Sequence, residues 1–225
     1  MSKAIYGTNH PSFLDKIVVN KRIEIIDLIK SKIELNEVES CLDVGTTIDF
    51  NNESSNIIIK SFSDIKIKNS ISNQVINNNF FKNSLNKSIT DDLSTNDLNQ
   101  LKSDLVIASA TIEHVGSFEN QKKMLENIIK LSKKFFVITT PNRYYPIDFH
   151  TKIPFIHWLP KSIHRFLLKL VGLKYFSNEE NLNLLSKKDL KNIIKNDKYI
   201  NINFSIETIK LFGLISNFII VGKIN

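Results

Sequence analysis

From Leu105 to Ala108 every position is apolar and two are β-branched, the pattern of a strand buried on both faces. A small polar loop, Ser109-Ala110-Thr111, follows it and leads into Ile112-Glu113-His114-Val115-Gly116. Ser117 is a good N-cap, and Phe118, Gln121, Leu125, Ile128 and Leu131 then fall on roughly one face of a predicted helix. Phe135 to Thr139 predicts a second buried strand, which Pro141 ends. The unit is βαβ, and its crossover should be right-handed. In open α/β sheets ligands bind beyond the carboxyl ends of such strands. Ser109 to His114 and Thr140 to Arg143 should therefore lie side by side at a working edge.

The flanking patterns extend the same architecture. Residues 1–14 read as an irregular arm, and Lys16 to Lys32 as a helix with Val19, Ile23, Ile26 and Ile29 or Ile33 at helical spacing. Cys41 to Val44 predicts a strand that turns at Gly45. Asn51 to Phe62 fits a short helix, and Asp64 to Lys68 alternates strictly, as a half-buried strand does. Ser72 to Gln100 is rich in Asn and Ser; it predicts a weak helix, a short strand around Phe80-Phe81-Lys82 and a loop. Tyr144 to Thr151 is aromatic and proline-broken, too apolar for a free surface loop. Leu159, Ile163, Phe166, Leu167, Leu170 and Val171 form a helical stripe, with Lys161, Arg165 and Lys169 on another side. Such a helix can rest on an anionic membrane; the expectation here is that its apolar face covers the sheet, with peripheral membrane contact through 159–174 as the alternative. Ser186 and Asp189 have capping-box spacing before another helix. Alternation at Ile200, Ile202, Phe204 and Ile206, then Phe218 to Val221, predicts two closing strands.

Composition changes this picture little. A chain of 225 residues with 42% hydrophobic content can bury one core, so a single domain over 1–225 is expected. The net charge of +7 would suit an anionic partner. It is spread along a chain rich in Lys, Asn and Ile, which fits a solvated surface better than a nucleic-acid groove, so no nucleic-acid partner is expected. The single Cys41 heads an apolar strand and reads as a buried structural thiol. No secretory signal or spanning segment is visible, so a cytoplasmic protein is expected.

The motifs carry more. Leu42-Asp43-Val44-Gly45, Glu113-His114-Val115-Gly116, Thr140-Pro141-Asn142-Arg143, Phe149-His150-Thr151, His157-Trp158-Leu159-Pro160 and Asn181-Leu182-Asn183-Leu184-Leu185 occur in that order. As a set they resemble class I S-adenosylmethionine (SAM)-dependent methyltransferases, within them a subgroup from bacterial polysaccharide and glycan gene clusters. The resemblance spans residues 41 to about 190. It implies an α/β, Rossmann-like, doubly wound and mostly parallel sheet with a C-terminal antiparallel strand pair. It also implies SAM as cofactor, a small-molecule or glycan acceptor, and a lid or acceptor-side insertion over 143–185.

The family's cofactor positions map onto Asp43, Gly45 and Thr46 at the first strand's turn, and onto Ser109, Ala110 and Glu113. Asp43 would accept from the SAM ammonium; as an ordinary turn carboxylate it would instead bond nearby amides. The family's glycine-rich turn retains only Gly45 here, with Thr46 and Thr47 behind it. Asn69 stands where many members carry an acid for the ribose, and Ser84 (or Asn83) where an aspartate often meets adenine. Alcohol methylation needs a base, and histidine is the natural one near neutral pH. His150, two residues after Asp148, is the first candidate; His114 would line the pocket and orient the acceptor. Asn142, Arg143 and Tyr145 would meet the acceptor, although Arg143 could equally hold its loop through a salt bridge. His157 and His164 are spaced by seven, but Pro154 and Pro160 interrupt the helix that would align them, so no metal site is expected. His157 reads as packed and hydrogen-bonded, His164 and His10 as exposed. The competing expectations are a methyltransferase-like scaffold that no longer binds SAM and, from charge alone, a nucleic-acid-modifying protein.

Overall fold

The computed structural model describes residues 13–52, 55–195, 199 and 201–225. His10, Ile200 and most of the expected N-terminal arm lie outside the described residues; Phe13 and Leu14 already belong to a helix. The elements in chain order are α1 (Phe13–Lys32), β1 (Ser40–Val44), α2 (Ile57–Lys60), β2 (Ile67–Ser72), β3 (Asn83–Asn86), α3 (Thr95–Leu101), β4 (Ser103–Ser109), α4 (Phe118–Leu131), β5 (Ser132–Pro141), α5 (Lys161–Leu170), α6 (Lys187–Ile194), β6 (Ile202–Leu211) and β7 (Leu214–Ile224). Short 3-10 turns lie at Leu35–Glu37, Ile112–His114 and Ile156–Trp158.

The seven strands form one sheet in the order β3-β2-β1-β4-β5-β7-β6. The first five run parallel; β7 is antiparallel to β5 and β6 to β7. Alternation within β4 shows why its sequence is uniformly apolar. Val106 and Ala108 face a core built with Leu125 and Ile128 of α4 and Leu190 of α6. Leu105 and Ile107 face the opposite core, with Ile26 and Ile29 of α1 and Ile59 of α2. Helices thus cover both faces, and each fully buried Leu or Ile contributes roughly 1.5–3 kcal/mol to holding them there. Cys41 is fully buried in the α1-side core, where burial pushes its thiol up to about 12, an inert structural role. Gly222 of β7 lies against the Phe136 ring; a Cβ there would stand 2.1 Å from Cζ, so only glycine fits. Phe212 and Gly213, both with positive φ, make the two-residue turn joining β6 to β7.

Several predicted bounds shift, each for a physical reason. The α1 stripe is Ile25, Ile26 and Ile29, continued by Ile33, while Ile23 is exposed, because at about 100° per residue it lies well off the face those isoleucines turn to the core. The strand expected at 64–68 runs from 67 to 72: its polar Asn69, Ser70 and Ser72 are buried and satisfied by side-chain hydrogen bonds, which hides the strand from a hydropathy reading. Phe80 and Phe81 are not strand but cluster with Phe50, at centroid distances of 5.8 and 5.6 Å. The strand follows them at 83–86. A helix, α3, replaces part of the expected loop, started by a Ser94–Asp97 capping box. The expected capping box of Ser186 and Asp189 is present.

Between β5 and α6, residues 143–185 build a small apolar cluster of their own from Leu168, Phe176, Leu182 and Leu184. Helix α5 does not cover the sheet as expected. It packs into this cluster through Leu168, and leaves Ile163, Phe166, Leu170 and Val171 46–66% exposed. His164, expected at the surface, is only 8% exposed, and burial lowers its pKa to about 4. No helix among the described residues is long and apolar enough to cross a membrane.

Candidate active site

The carboxyl ends of β1, β4 and β5 converge on one edge, and the motif residues gather there. At the end of β1 the chain turns at Gly45, with φ +83°; a Cβ there would meet Thr111 Oγ1 at 2.5 Å. Thr111 donates to the Val44 carbonyl at 3.0 Å, tying the β1 turn to the loop after β4. Thr46 does not stand over the turn. Its hydroxyl is folded inward and donates to Asp43 Oδ2 at 2.6 Å, while Thr47 turns outward to Asn56 Oδ1. Asp43 is buried, and desolvation raises its carboxyl to about 6 against the lowering effect of the Thr46 hydrogen bond. Among the described residues its carboxylate bonds to the neutral Thr46 hydroxyl and to no cation; a buried carboxylate so placed would be strongly stabilised by one.

At the end of β4, Ser109 is half-buried and Ala110 takes φ +50°, an uncommon conformation for a residue with a Cβ. The Ala110 amide donates to the Thr139 carbonyl at 3.0 Å, which pins this strained turn to β5. The 3-10 turn then carries Glu113 inward, fully buried. Thr140 at the end of β5 donates to Glu113 Oε2 at 3.0 Å, whereas Oε1 has no hydrogen-bond partner. His114 Nδ1 stands 2.6 Å from the Asn181 carbonyl, and its ring lies edge-on to His150 at a centroid distance of 4.9 Å.

His150 and Asp148 form the pair expected of them. Nδ1 of His150 lies 2.9 Å from Asp148 Oδ1, and Asp148 also accepts from the His150 and Thr151 amides and the Thr151 hydroxyl. Burial alone would raise the Asp148 carboxyl, but the His150 bond and charge, with these further donors, hold it down at about 2. For His150, burial acts to lower the pKa; the Asp148 bond and charge and the Glu113 charge overcome it and raise the imidazole above its ordinary value.

The remaining candidates are placed differently. Asn69 sits inside β2 rather than at its end; it bonds Ser103 Oγ and Asn83 Nδ2, so the cofactor role expected of it has no support in its position. Ser84 pairs with Ser70 within the β2–β3 ladder, their hydroxyls 2.8 Å apart, and is likewise a strand residue. Asn142 is held by backbone: its Nδ2 donates to the Ile215 carbonyl and its Oδ1 accepts from the Tyr144 amide. Among the described residues Arg143 makes no salt bridge; it donates to the carbonyls of His157 and Leu159 and so fastens the insertion's start to its 3-10 turn. Tyr145 is buried and stacked on Phe149 at 5.6 Å, and its carbonyl accepts from His157 Nε2 and Trp158 Nε1. His157 is packed and hydrogen-bonded, as expected. The fold does bring His157 and His164 to a centroid distance of 6.3 Å, across Pro160, beside Arg143, Lys161 and Arg165, with Asp148 near enough to act on His164.

Sequence reading set Thr111 and Thr140 at the working edge and Asn181 and Asn183 in a motif, but gave none of the four a role of its own. Asn183 bridges the two halves: its amide donates to the Glu113 carbonyl at 2.7 Å, its Nδ2 to the Gly116 carbonyl, and its Oδ1 accepts from Lys161 Nζ. The signal was present, since Asn181 and Asn183 belong to one quoted motif and Thr140 to another. A cavity of about 530 Å³ lies elsewhere, lined by Ile23, Ile26, Phe50 and Ile57 on the α1 side.

No family model matches the sequence, and no curated protein does. Solved structures do share the fold. Magnesium protoporphyrin IX methyltransferase (ChlM) from Synechocystis PCC 6803, solved with bound SAM, superposes with a TM-score of 0.55 over 99% of this chain and 88% of that one, at 9% identity. The small RNA methyltransferase HEN1 gives a TM-score of 0.57 over 91% of this chain and 25% of that one, at 13% identity. The N-methyltransferase NodS from Bradyrhizobium japonicum WM9 gives 0.51 over 91% and 97%, at 7% identity. The architecture is thus the Rossmann-like fold of class I methyltransferases, a mostly parallel sheet closed by an antiparallel pair.

Proposed function

We propose that this chain is a SAM-dependent methyltransferase that acts on a hydroxyl of a glycan or of a lipid- or nucleotide-linked sugar. The observation that carries the reading is the junction at Thr111, which ties the Asp43–Gly45 turn to the cluster of Glu113, His114, His150 and Asp148. The residues at the turn fit the cofactor. Gly45 offers a Cβ-free backbone, the two threonines behind it turn away, and Asp43 is a buried carboxylate with a neutral hydroxyl as partner where an ammonium would be welcome. Asp43, Gly45, Ser109 and Ala110 would hold SAM, which supplies an electrophilic methyl group on a sulfonium.

This chain's residues then have defined tasks. Asp148 fixes the tautomer of His150 by accepting from Nδ1, which leaves Nε2 to take the proton of the acceptor hydroxyl. The 143–185 insertion, fastened by Arg143 and Asn183, walls the acceptor side and excludes water. Calorimetry tests the cofactor half: SAM and its demethylated product should each bind at one site, and no heat at several hundred micromolar ligand would leave the non-catalytic scaffold. That second reading draws on Thr111 lying against Gly45 and on the in-strand positions of Asn69 and Ser84. His150→Ala should suppress turnover and leave SAM affinity within about threefold; undiminished turnover would remove His150 from the mechanism.

A lipid-linked acceptor also suits segment 159–174. Phe155, Trp158, Ile163, Phe166, Leu170 and Val171 are each 43–66% exposed, beside the exposed Lys169 and Lys174. Apolar side chains next to amines match an anionic bilayer surface. Vesicles containing anionic lipid should pellet the protein and neutral ones should not, and Phe166→Glu with Leu170→Glu should abolish the difference.

A further inference from the structure

Three potential ligand side chains meet in the acceptor half. Glu113, His114 and His150 each offer a ligand atom, and these lie within 4.8 Å of one another. The Asn181 carbonyl can only accept, so His114 Nδ1 donates to it and Nε2 is the nitrogen left for a ligand. The carboxylate of Asp148 likewise accepts from Nδ1 of His150, and again Nε2 is the nitrogen on which an ion would compete with a proton. Glu113 contributes Oε1, fully buried and without a hydrogen-bond partner among the described residues. A buried carboxylate oxygen without a donor, beside two imidazoles, is a place where a cation would be strongly stabilised.

We infer that Glu113 Oε1, His114 Nε2 and His150 Nε2 bind one divalent first-row transition ion, of the Zn²⁺ or Co²⁺ type. Two imidazoles and a carboxylate are borderline donors that suit these ions, whereas Mg²⁺ and Ca²⁺ favour all-oxygen shells. Ligand atoms about 2.1 Å from one ion stand no more than about 4.2 Å apart, against the 4.8 Å within which one ligand atom of each residue lies, so the side chains would close onto the ion by small rotations. The supporting shell is already built: the Asn181 carbonyl behind His114, the Asp148 carboxylate behind His150 and the Thr140 hydroxyl on Glu113 Oε2 fix all three ligands from the rear. Three protein ligands leave open positions, where an acceptor oxygen could sit. That use rests on the methyl-transfer reading, and with the ion bound His150 is a ligand rather than the base; the binding itself rests on neither. The trio is distinct from His157 and His164, which lie beside Arg143, Lys161 and Arg165.

The test is a titration of tag-free protein with Zn²⁺ and with Co²⁺, in the absence of SAM. The expected result is one equivalent bound with micromolar or tighter affinity, visible Co²⁺ absorption, and a rise in melting temperature. Glu113→Gln and His150→Asn should each weaken binding about tenfold to a hundredfold, with circular dichroism confirming the fold, and His164→Asn should bind as the parent does. Should Glu113→Gln fail to fold, His150→Asn and His114→Gln carry the test. No saturable binding up to a millimolar, or parental affinity in the folded His150 variant, overturns the site. Because SAM is absent, loss of the metal site and loss of the cofactor site are read separately.

Discussion

The two halves of the sheet's carboxyl edge are built on opposite terms. On the β1–β2–β3 side, polar side chains are paired off inside the protein: at the edge Thr46 with Asp43 and Ser72 with the Thr46 carbonyl, and deeper within the strands Asn69 with Ser103 and Asn83 and Ser70 with Ser84. On the side where β4 and β5 meet the 143–185 insertion, Glu113, Gln121, His157 and His164 supply four of the five buried side-chain polar atoms without partners among the described residues. Paired polar groups rigidify a scaffold, while unpaired ones keep a free energy that only a ligand releases. The β1 side is thus a preformed rest whose free capacity is mainly the charge on Asp43. The insertion side is a set of groups awaiting a partner.

The largest effect that could break this contrast belongs to the insertion side. Asp148→Asn leaves the shape intact but turns the partner of His150 into an amide, which should cut turnover on the order of a hundredfold or more. SAM affinity, measured calorimetrically, should change by less than about threefold. An equal loss in both would show that the halves are not separable.

On the β1 side the sharpest probe is pH. Asp43 rises from an ordinary 3.8 to about 6 in the folded chain, so the native state holds this proton more tightly than the unfolded one. Its contribution to stability is complete below about pH 4, is lost as pH rises to 6, and amounts to at most about 3 kcal/mol. Urea midpoints across that range should fall with pH, and Asp43→Asn should remove this component of the slope. SAM affinity should climb over the same interval, because an ammonium prefers the ionised carboxylate. Affinity flat in pH would take Asp43 out of the cofactor site.

The smallest effect concerns the junction. Gly45→Ala both strains a positive φ and drives a methyl into Thr111, and should lower stability by about 1–3 kcal/mol. Adding Thr111→Ala should recover the part due to contact and leave the backbone cost of about 1 kcal/mol. Full recovery in the double variant would mean that φ at Gly45 is not under constraint.

Much of the architecture was legible because it is local. The βαβ unit from Ser103 to Pro141, the Ser117 cap and the closing strands follow from periodicity and turn chemistry, which report how one segment meets a core. The strand at 67–72 was misplaced because periodicity registers apolar burial only. Asn69 and Ser70 are buried by virtue of hydrogen bonds to residues 14 and 34 positions away, which no local window contains. The fate of α5 was not legible for a related reason: an amphipathic stripe says that a helix has an apolar face, not that the fold provides a surface to cover it.

The chain alone determined which residue types stand at the ends of β1, β4 and β5, since the strands and the turns that end them follow from segment patterns, while the order of the strands in the sheet was only implied by the resemblance. The pairing of Asp148 with His150 was also within its reach, being only two residues in span. The meeting of His150 with His114 and Glu113, and the closure of Asn181 and Asn183 over them, was decided by tertiary structure alone. Those contacts join segments about 35 to 70 residues apart, held by single hydrogen bonds whose geometry exists only after both faces of the sheet are packed.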